Sequence, residues 1–246
     1  MSAQQLVLFD LPSKAPLRAW SYNPWRKALL YSVRLALNYK GIDYRTEWLE
    51  YPDLKPSLPG LSEYTTPTVM MPSGEYIMDS WKIAEALEAA FPGTPSLRLD
   101  APALAPVKAA MLGALGELRG VYVPLVAQRL LGEASLPYFT ATRQANLGMP
   151  LDQFAREKGG DRAFAAAAPH VQKAAALLRA EGAEGPFFDG AAAPGFADFV
   201  WAGLLLFLQR IGEDDVLLKL LDAAGDREPH LRLLEAVRPW SERGDY

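Results

Sequence analysis

Cysteine is absent from this chain of 246 residues, and histidine occurs only twice. Without thiols there can be no disulfide, no thiolate-bound metal and no cysteine nucleophile. His170 and His230 lie far apart in the sequence and have no neighbour at ligand spacing, so we expect no metal site. No serine stands in a nucleophile-elbow pattern, which argues against a Ser-His-Asp hydrolase.

A surplus of positive charge and a long apolar run are missing too. Lys and Arg total 25 against 29 Asp and Glu, and no basic stripe occurs, so we expect no nucleic-acid partner. The longest apolar run, residues 199–208, is about half as long as a membrane span. The first eleven residues show no basic segment followed by an apolar core, as a signal peptide would. We therefore expect a cytoplasmic protein that does not associate with membranes.

The first third of the chain alternates between strand patterns and helix patterns. The predicted elements are strand 6–11, helix 24–41, strand 42–48, a hairpin of 68–71 with 76–78, and a helix that begins at Asp79 or Ser80. Pro24 suits a first helical turn, and Gly41 suits a helix end. The order of strand, helix, strand, hairpin and helix is the thioredoxin-like arrangement.

The rest of the chain is dominated by helical periodicity after a proline-rich segment, 94–106, which is predicted to link two domains. The domains are then residues 1–93 and residues 107–246. The predicted helices are 107–131, 163–181, 196–211, 214–223 and 229–237, with 132–161 mostly irregular. The predicted fold class is therefore α/β plus all-α, with a thioredoxin-like N-terminal domain followed by an all-helical domain.

The sharpest local signal is Thr-Thr-Pro-Thr-Val at residues 65–69, followed by Asp79-Ser80 at a predicted helix start. Either piece alone is typical of a plain turn or helix cap. Together they resemble the glutathione site of the glutathione transferase superfamily, in which the proline before the third strand is cis. The resemblance implies that Thr66, before Pro67, pairs with the cysteinyl backbone of glutathione. Asp79 would bind the γ-glutamyl ammonium, and Ser80 with its helix N-terminus the α-carboxylate.

The loop before the first helix offers groups that could hold the glutathione sulfur. A free thiol titrates near ~8.5, so a donor aimed at the sulfur beside a positive helix end would favour the thiolate. Ser21 is the first candidate donor, Asn23 the second, and the Tyr22 phenol the third. The alternative is that Ser21 or Asn23 only caps the helix.

Several motifs resemble a narrower group, the fungal-specific class A (etherase-related) glutathione transferases, and also the bacterial β-aryl etherases. These motifs are Phe-Asp-Leu at 9–11, Ser21 with Trp25, Leu-Asn-Tyr-Lys-Gly at 37–41, residues 46–53 and, more weakly, residues 138–154. The sequence departs from its relatives in two places. Tyr22 stands where the group often has proline. Gly195 stands where the superfamily's helix-capping box, completed here by Asp198, has Ser or Thr.

Further site residues are implied by the same resemblance. Lys55 lies in the loop where relatives place a cation for the glycyl carboxylate, although a solvated surface lysine is the plainer interpretation. A second site, for an apolar ligand, would be lined by aromatic residues, although most aromatic side chains belong to the core. The candidates for it are Trp20, Tyr22, Trp25, Tyr122, Tyr138 and Phe139.

Three glycines, Gly113, Gly116 and Gly120, are expected to share one face of the long helix predicted at 107–131. Glycines in such positions usually permit close contact with a neighbouring helix. At this place in a transferase they could instead leave room for a bulky ligand.

Two functions of different kinds follow from the resemblance. The first is an enzyme that activates glutathione, its co-substrate, as a thiolate for attack on an apolar or aromatic electrophile, a peroxide or an aryl ether. The second is a non-catalytic ligandin that binds aromatic, phenolic small molecules. A regulatory transferase-like domain is a poorer third. In each case the resemblance implies a two-fold homodimer.

Overall fold

The structure of the chain is a computed structural model, and it describes residues 5–14, 30–58, 66–179 and 185–242. Four short strands form one mixed sheet in the order β2-β1-β3-β4. They are β1 Leu6–Asp10, β2 Tyr44–Trp48, β3 Thr68–Met70 and β4 Tyr76–Met78. β1 runs parallel to β2 and antiparallel to β3, and all of its residues are buried, as expected for a central strand. The predicted hairpin of β3 and β4 is confirmed.

Three helices accompany this sheet: α1 Leu30–Lys40, α2 Leu54–Ser57 and α3 Ser80–Ala90. α1 ends at Gly41, as predicted, because Gly41 adopts a left-handed φ of 65° that a side chain would disfavour. The Ile42 N–H then reaches back to the Leu37 carbonyl at 3.1 Å. The predicted start of this helix, at Pro24, lies outside the described residues.

The path from α3 to the second half of the chain is held by a buried lysine at the end of α1. Lys40 is 3% exposed and donates to the Glu88 carboxylate at 2.6 Å and to the Pro95 carbonyl at 3.1 Å. Partial burial would raise the pKa of Glu88, but bonds from Lys40, the Leu97 N–H and the Ser96 hydroxyl bring that pKa below its usual range. Residues 91–103 form no helix or strand. The hydrogen bonds of Lys40 and Glu88 to residues 95–97 therefore hold this segment in place.

The remaining described chain is helical. Its helices are α4 Leu104–Glu117, α5 Arg119–Arg129, α6 Leu136–Leu147, α7 Leu151–Lys158, α8 Asp161–Leu178, α9 Phe196–Ile211, α10 Lys219–Ala224 and α11 Glu228–Ser241. α9 is almost wholly buried, and α1, α4, α5 and α11 pack around it. The predicted fold class, a thioredoxin-like sheet followed by an all-helical half, is confirmed.

The single helix predicted at 107–131 is wrong: α4 and α5 are separate helices that differ in direction by 73°. The break falls at Leu118. The Leu118 carbonyl accepts the N–H groups of Val121 and Tyr122, at 2.8 Å and 3.0 Å, so a new helix begins from Leu118. Pro124 lies inside α5 and not at the break. Apolar residues keep helical spacing on both sides of the break, so the sequence pattern predicted one continuous helix.

The irregular segment predicted at 132–161 is also wrong, because it contains α6 and α7. Pro137 lies in the first turn of α6, where its missing N–H costs nothing. Gly148 ends α6 with a left-handed φ of 70°, and Gly160, at the same φ, precedes α8. Residues that suggested disruption are therefore helix caps.

The other predicted helices are found with shifted ends. α9 has the predicted bounds, whereas α8 begins and ends earlier and α11 extends to Ser241. The helix predicted at 214–223 opens with a π-helical turn, Glu213–Leu218, before α10. Among the described residues no single helix has the length and apolar content of a membrane span; α4 and α5 reach them only together, across their bend.

The two halves of the chain interlock through α1, α9 and α11. The Asn38 amide donates to the Trp240 carbonyl at 2.6 Å. The Tyr39 ring meets Trp240 and Phe199 edge-on, at centroid distances of 5.1 Å and 5.4 Å. The last helix thus packs directly on the first one, and the helical half supports the sheet from the side of α1.

Candidate functional site

The segment before β3 has the backbone that the sequence resemblance implies, since the peptide bond between Thr66 and Pro67 is cis. Thr66 has no exposed surface, and its hydroxyl finds no hydrogen-bond partner among the residues that the structure describes. Buried polar atoms are nearly always bonded, so such an atom indicates a place where something beyond the described chain completes the bonding.

Asp79 joins β4 to α3 in a backbone conformation that residues other than glycine rarely adopt. Its φ is 77°, which costs of order 1–3 kcal/mol and is typical of ligand sites. The Asp79 carboxylate accepts the Trp81 N–H at 2.9 Å and so caps α3, as predicted. The carboxylate is thereby held at the positive end of the helix.

Ser80, the first residue of α3, brings a second buried hydroxyl to the same place. It has no exposed surface, and within the described ranges its Oγ has no partner. The first N–H groups of a helix carry partial positive charge and lack intrahelical acceptors. A hydroxyl, a helix end and an adjacent carboxylate can together bind the ammonium and carboxylate of an amino-acid group.

The helical half supports this turn of α3. The Lys108 ammonium of α4 lies 3.9 Å from the centre of the Trp81 ring, and Phe196 of α9 meets the same ring edge-on at 5.1 Å. Trp81 is thus clamped between a cation and an aromatic ring. The clamp fixes the direction in which α3 presents its N-terminus.

Lys55 is exposed on the one-turn helix α2. The segment that carries it is tied to α6, because the Tyr51 N–H donates to the Ser135 hydroxyl at 3.0 Å. That hydroxyl in turn donates to the Glu50 carboxylate in a short bond. The helical half therefore positions α2, although the role of Lys55 stays a prediction.

Most residues predicted to meet the sulfur or the second ligand fall outside the described residues: Ser21, Asn23, Trp20, Tyr22 and Trp25. The segment that contains them leaves β1 beside the end of α5, where the Lys14 N–H donates to the Leu130 carbonyl at 2.8 Å. Across the described ranges, no group of three or more metal-ligating side chains comes together.

Tyr122, another residue predicted for the second-ligand site, is only 2% exposed. Its ring packs on Phe207 at 5.7 Å, and burial raises the pKa of its phenol despite the opposing effect of Arg119 and Arg143. In the described structure Tyr122 is a core residue, and its contact with a ligand stays a prediction.

An aromatic cluster between the two halves contains Tyr138 and Phe139, two of the residues predicted for the second-ligand site. Tyr51 stacks on Tyr138 at 6.1 Å, and the Arg143 guanidinium lies 4.5 Å from the centre of the Phe139 ring. Burial raises the pKa of Tyr51 to about 12. Tyr138 is 46% exposed and is the accessible member of the cluster. Tyr51 and Arg143 are the members that sequence reasoning did not identify as site residues, because only tertiary packing brings them beside Tyr138 and Phe139.

A second missed feature is a buried ion pair at the carboxyl ends of β1 and β2. The Arg34 guanidinium donates to the Asp10 carboxylate at 2.8 Å, and both side chains are at most 1% exposed. Burial would lower the pKa of Arg34, but the charges of Asp10 and Tyr44 and the hydrogen bonds to these two side chains raise it. No local sequence pattern indicated this pair, because Asp10 and Arg34 meet only when α1 packs on the sheet.

The three glycines differ in what surrounds them. A Cβ on Gly113 would lie 2.3 Å from the His170 ring, and one on Gly120 would lie 2.1 Å from the Lys158 carbonyl carbon. Gly116 has nothing within 4 Å of such an atom. Close packing therefore explains Gly113 and Gly120, and only Gly116 leaves space.

Asp198 completes the cap of α9 without a serine or threonine partner. Its carboxylate accepts the Gly195 N–H at 2.7 Å and the Phe188 N–H at 2.8 Å. Burial raises the pKa of Asp198 to about 6, although these two N–H bonds act in the opposite direction. The bond back to the helix start that was predicted for Asp198 is thus present.

Comparison with known proteins gives the same assignment for both halves. Residues 32–90 match the family described as glutathione S-transferase, N-terminal domain, and residues 108–240 match glutathione S-transferase, C-terminal domain. A glutathione S-transferase-like protein, ustS, of Aspergillus flavus is 30% identical over 231 residues, which cover 83% of this chain and 80% of that protein.

Solved fungal structures share the whole architecture. Glutathione transferase GSTFuA2 from Phanerochaete chrysosporium has a TM-score of 0.80 at 25% identity and covers 98% of this chain and 100% of its own. The glutathione S-transferase CsGST63524 of Ceriporiopsis subvermispora, solved in complex with glutathione, has a TM-score of 0.79 at 25% identity, over 96% and 98% of the two chains. The resemblance to fungal glutathione transferases is thereby confirmed, and the chain belongs to the glutathione S-transferase family.

Proposed function

We propose that this chain binds glutathione across Thr66, Asp79 and Ser80. The N-terminus of α3 carries the proposal, because a strained carboxylate and a buried, unsatisfied hydroxyl stand there side by side. Ser80 and the helix end would bind the γ-glutamyl α-carboxylate, and Asp79 the ammonium. Thr66 would pair with the cysteinyl backbone, and Lys55 would attract the glycyl carboxylate. A glutathione-bound relative of the same fold supports this assignment.

The proposed reaction begins with loss of the thiol proton to solvent. Ser21, or alternatively Asn23 or Tyr22, would donate a hydrogen bond to the resulting thiolate and lower the pKa of the thiol. The sulfur then attacks an electrophilic carbon: a C–S bond forms, and the leaving group departs with its electron pair. With an aryl ether the leaving group is a phenolate. With a peroxide the sulfur attacks one oxygen: an S–O bond forms, the O–O bond breaks, and the other oxygen leaves as an alkoxide or hydroxide that takes a proton from solvent. The sulfur is thereby oxidised to a sulfenic acid and the peroxide is reduced.

The second candidate, a ligandin for aromatic compounds, is favoured by one observation. An open groove of about 580 Å³ lies between α4 and α8, within the size range of small-molecule sites. It is lined by Pro106, Ala109 and Ala110 from α4 and by His170, Lys173 and Leu177 from α8. Its apolar floor and basic rim suit an aromatic compound with an acidic group.

Titration calorimetry and turnover assays separate the two candidates. For the enzyme we expect glutathione binding, thiolate absorbance of the bound thiol at neutral pH, and turnover of at least one model electrophile. For the ligandin we expect aromatic compounds to bind without turnover, and Ala109→Trp to abolish that binding while glutathione binding persists. If neither glutathione nor an aromatic compound binds, both proposals are wrong.

We also infer a homodimer, with each subunit divided at the linker 94–106, because the resemblance implies pairing between the first domain of one subunit and the helices of the other. Light scattering coupled to size-exclusion chromatography measures the mass directly. A mass of a single 27.0 kDa chain at micromolar concentration would contradict the dimer.

A further inference from the structure

Asp10 lies at the point where two functional segments leave the sheet. Its Oδ1 accepts the N–H of Leu11, the first residue after β1, at 2.6 Å. Its carbonyl accepts the N–H of Leu49, the first residue after β2, at 2.8 Å. The first segment leads to Ser21 and Asn23, and the second to Lys55. Asp10 is therefore hydrogen-bonded to the first residue of each segment.

Arg34 fixes the orientation of the Asp10 side chain from α1. One guanidinium nitrogen donates to Asp10 Oδ2 at 2.8 Å, and the other donates to Thr46 Oγ1 of β2 at 3.2 Å. The guanidinium also lies 5.3 Å from the centre of the Trp48 ring. The guanidinium is a rigid planar fork whose two terminal nitrogens bond in separate directions, so it joins α1 to both strands, whereas a lysine ammonium donates from a single nitrogen on a flexible stem.

The geometry points to the Asp10–Arg34 pair as a positioning device for the thiol-activating segment of the glutathione site. Arg34 acts through Asp10 and does not itself meet glutathione. It holds the carboxylate so that Leu11, and with it the start of the donor segment, keeps one position relative to β2. Because a misplacement of about 1 Å can cost about a hundredfold in rate, such a pair would govern reactivity rather than affinity. This inference rests on the proposed function.

The test compares two conservative exchanges of buried cations on the same helix. Arg34→Lys keeps the charge beside Asp10 but loses the bond to Thr46. Lys40→Arg is the matched control, because Lys40 pairs with Glu88 and the Pro95 carbonyl at the far end of α1. Thr46→Val is a milder variant that removes one acceptor of Arg34 and leaves the ion pair in place.

Two measurements are made on each variant: hydrogen exchange by mass spectrometry without ligand, and the pH profile of turnover with the Kd for glutathione. For Arg34→Lys we expect faster exchange in peptides from 11–29 and 49–58, a pH profile displaced upward, and kcat lowered about tenfold or more. The Kd should change less than about threefold, since Thr66, Asp79 and Ser80 are untouched. Thr46→Val should change the same quantities in the same direction but less, and Lys40→Arg should affect only peptides near 91–97.

Unchanged exchange at 11–29 and 49–58 in both Arg34→Lys and Thr46→Val would overturn the inference, whatever the wild type catalyses. Lowered thermal stability without any shift of the pH profile would overturn it too, because that is the mark of a merely structural pair. If the thiol of glutathione bound to the wild type titrates as it does in solution, the proposed function fails instead. In that case the hydrogen-exchange data by themselves still show whether the Asp10–Arg34 pair positions the two segments.

Discussion

At the scale of the residue, Asp79 combines two roles that a substitution can separate. It caps α3 through the Trp81 N–H, and in the proposed site it binds an ammonium group. Asparagine keeps the capping oxygen and tolerates positive φ, but it removes the charge. Alanine removes both. The pair of variants therefore distinguishes a helix cap from a ligand contact.

We expect Asp79→Ala to weaken glutathione binding by about 1.5–3 kcal/mol, the usual range for a bond to a charged group. Asp79→Asn should lose most of that affinity while keeping the melting temperature of the wild type. Calorimetric titration and thermal melts give both numbers. Asp152→Ala, which removes an exposed ion pair with Arg156, serves as the control and should change neither. Full affinity in Asp79→Asn would disprove the assignment of the ammonium contact.

The first two of the three candidate donors for the sulfur, Ser21 and Asn23, call for a paired experiment. If Ser21 holds the thiolate, Ser21→Ala should raise the pKa of bound glutathione and slow turnover at neutral pH by about 1–3 kcal/mol in the barrier. Its glutathione affinity should stay near that of the wild type. The pH dependence of the rate and the ultraviolet absorbance of the bound thiolate report on this directly.

Asn23→Ala is the control for that experiment. If Asn23→Ala alone abolishes activity, the donor is Asn23, and Ser21 is a helix cap. If both variants keep full turnover and lose only thermal stability, both residues are caps. Electrophile binding without turnover in the wild type would favour the ligandin.

Sequence reasoning reached Thr66, Asp79 and Ser80 because each is a polar residue placed at an element boundary, where few structural demands compete. It did not reach Asp10 and Arg34. Each stands in an apolar stretch, and only the pairing of β1 with β2 brings the partners of Arg34 together. A buried ion pair depends on tertiary contacts that no local pattern encodes.

At the scale of the element, the difference between local pattern and tertiary contact also explains why one helix was predicted at 107–131, where the structure has α4 and α5. Leu115, Leu118 and Tyr122 keep helical spacing across a bend of 73°, because both helices bury an apolar side. The spacing of apolar residues indicates which side of a helix is buried, but it does not indicate where the helix axis changes direction. The close approach of α7 to α5, which excludes a side chain at Gly120, is a tertiary contact that the sequence pattern does not reveal.

Two glycines in these helices, when replaced by alanine, are expected to change the free energy of unfolding in opposite directions. Gly120→Ala should destabilise the fold by about 1–3 kcal/mol, because the backbone of Lys158 cannot move aside. Gly116→Ala meets nothing within 4 Å, so it should stabilise by about 0.5–1 kcal/mol through lower chain entropy. Urea unfolding of both variants measures the difference. Equal destabilisation by the two changes would contradict the packing assigned to Gly120.

At the scale of the whole molecule, the stability of the helical half depends on two buried titratable groups that act in opposite directions. The Trp201 indole N–H donates to His230 Nδ1 at 3.0 Å, which links α9 to α11. Burial lowers the pKa of His230 from 6.5 to about 4. Burial raises the pKa of Asp198 from 3.8 to about 6.

Whether each group raises or lowers stability as the pH falls depends on whether the folded or the unfolded chain binds more protons at that group. Between pH 6.5 and 4 the unfolded chain protonates at His230 before the folded one does, so this group makes the protein less stable as the pH falls. Between pH 6 and 3.8 the folded chain holds a proton on Asp198 that the unfolded chain has lost, so this group makes it more stable as the pH falls. At roughly 1.4 kcal/mol per pKa unit, each contributes on the order of 3 kcal/mol.

We therefore expect these two groups largely to cancel between about pH 6 and 4, and single substitutions to expose each one. In His230→Asn, whose Oδ1 stands where Nδ1 does and can accept the Trp201 N–H, only Asp198 of the two groups remains, and its contribution to the unfolding free energy should rise as the pH falls. In Asp198→Asn only His230 remains, and the free energy should fall over the same range. Urea titrations at several pH values give these slopes. The slopes are the test rather than the absolute stabilities, because in Asp198→Asn the N–H of either Gly195 or Phe188 faces an amide nitrogen at every pH. Parallel curves for the two variants would show that neither group titrates where its burial places it.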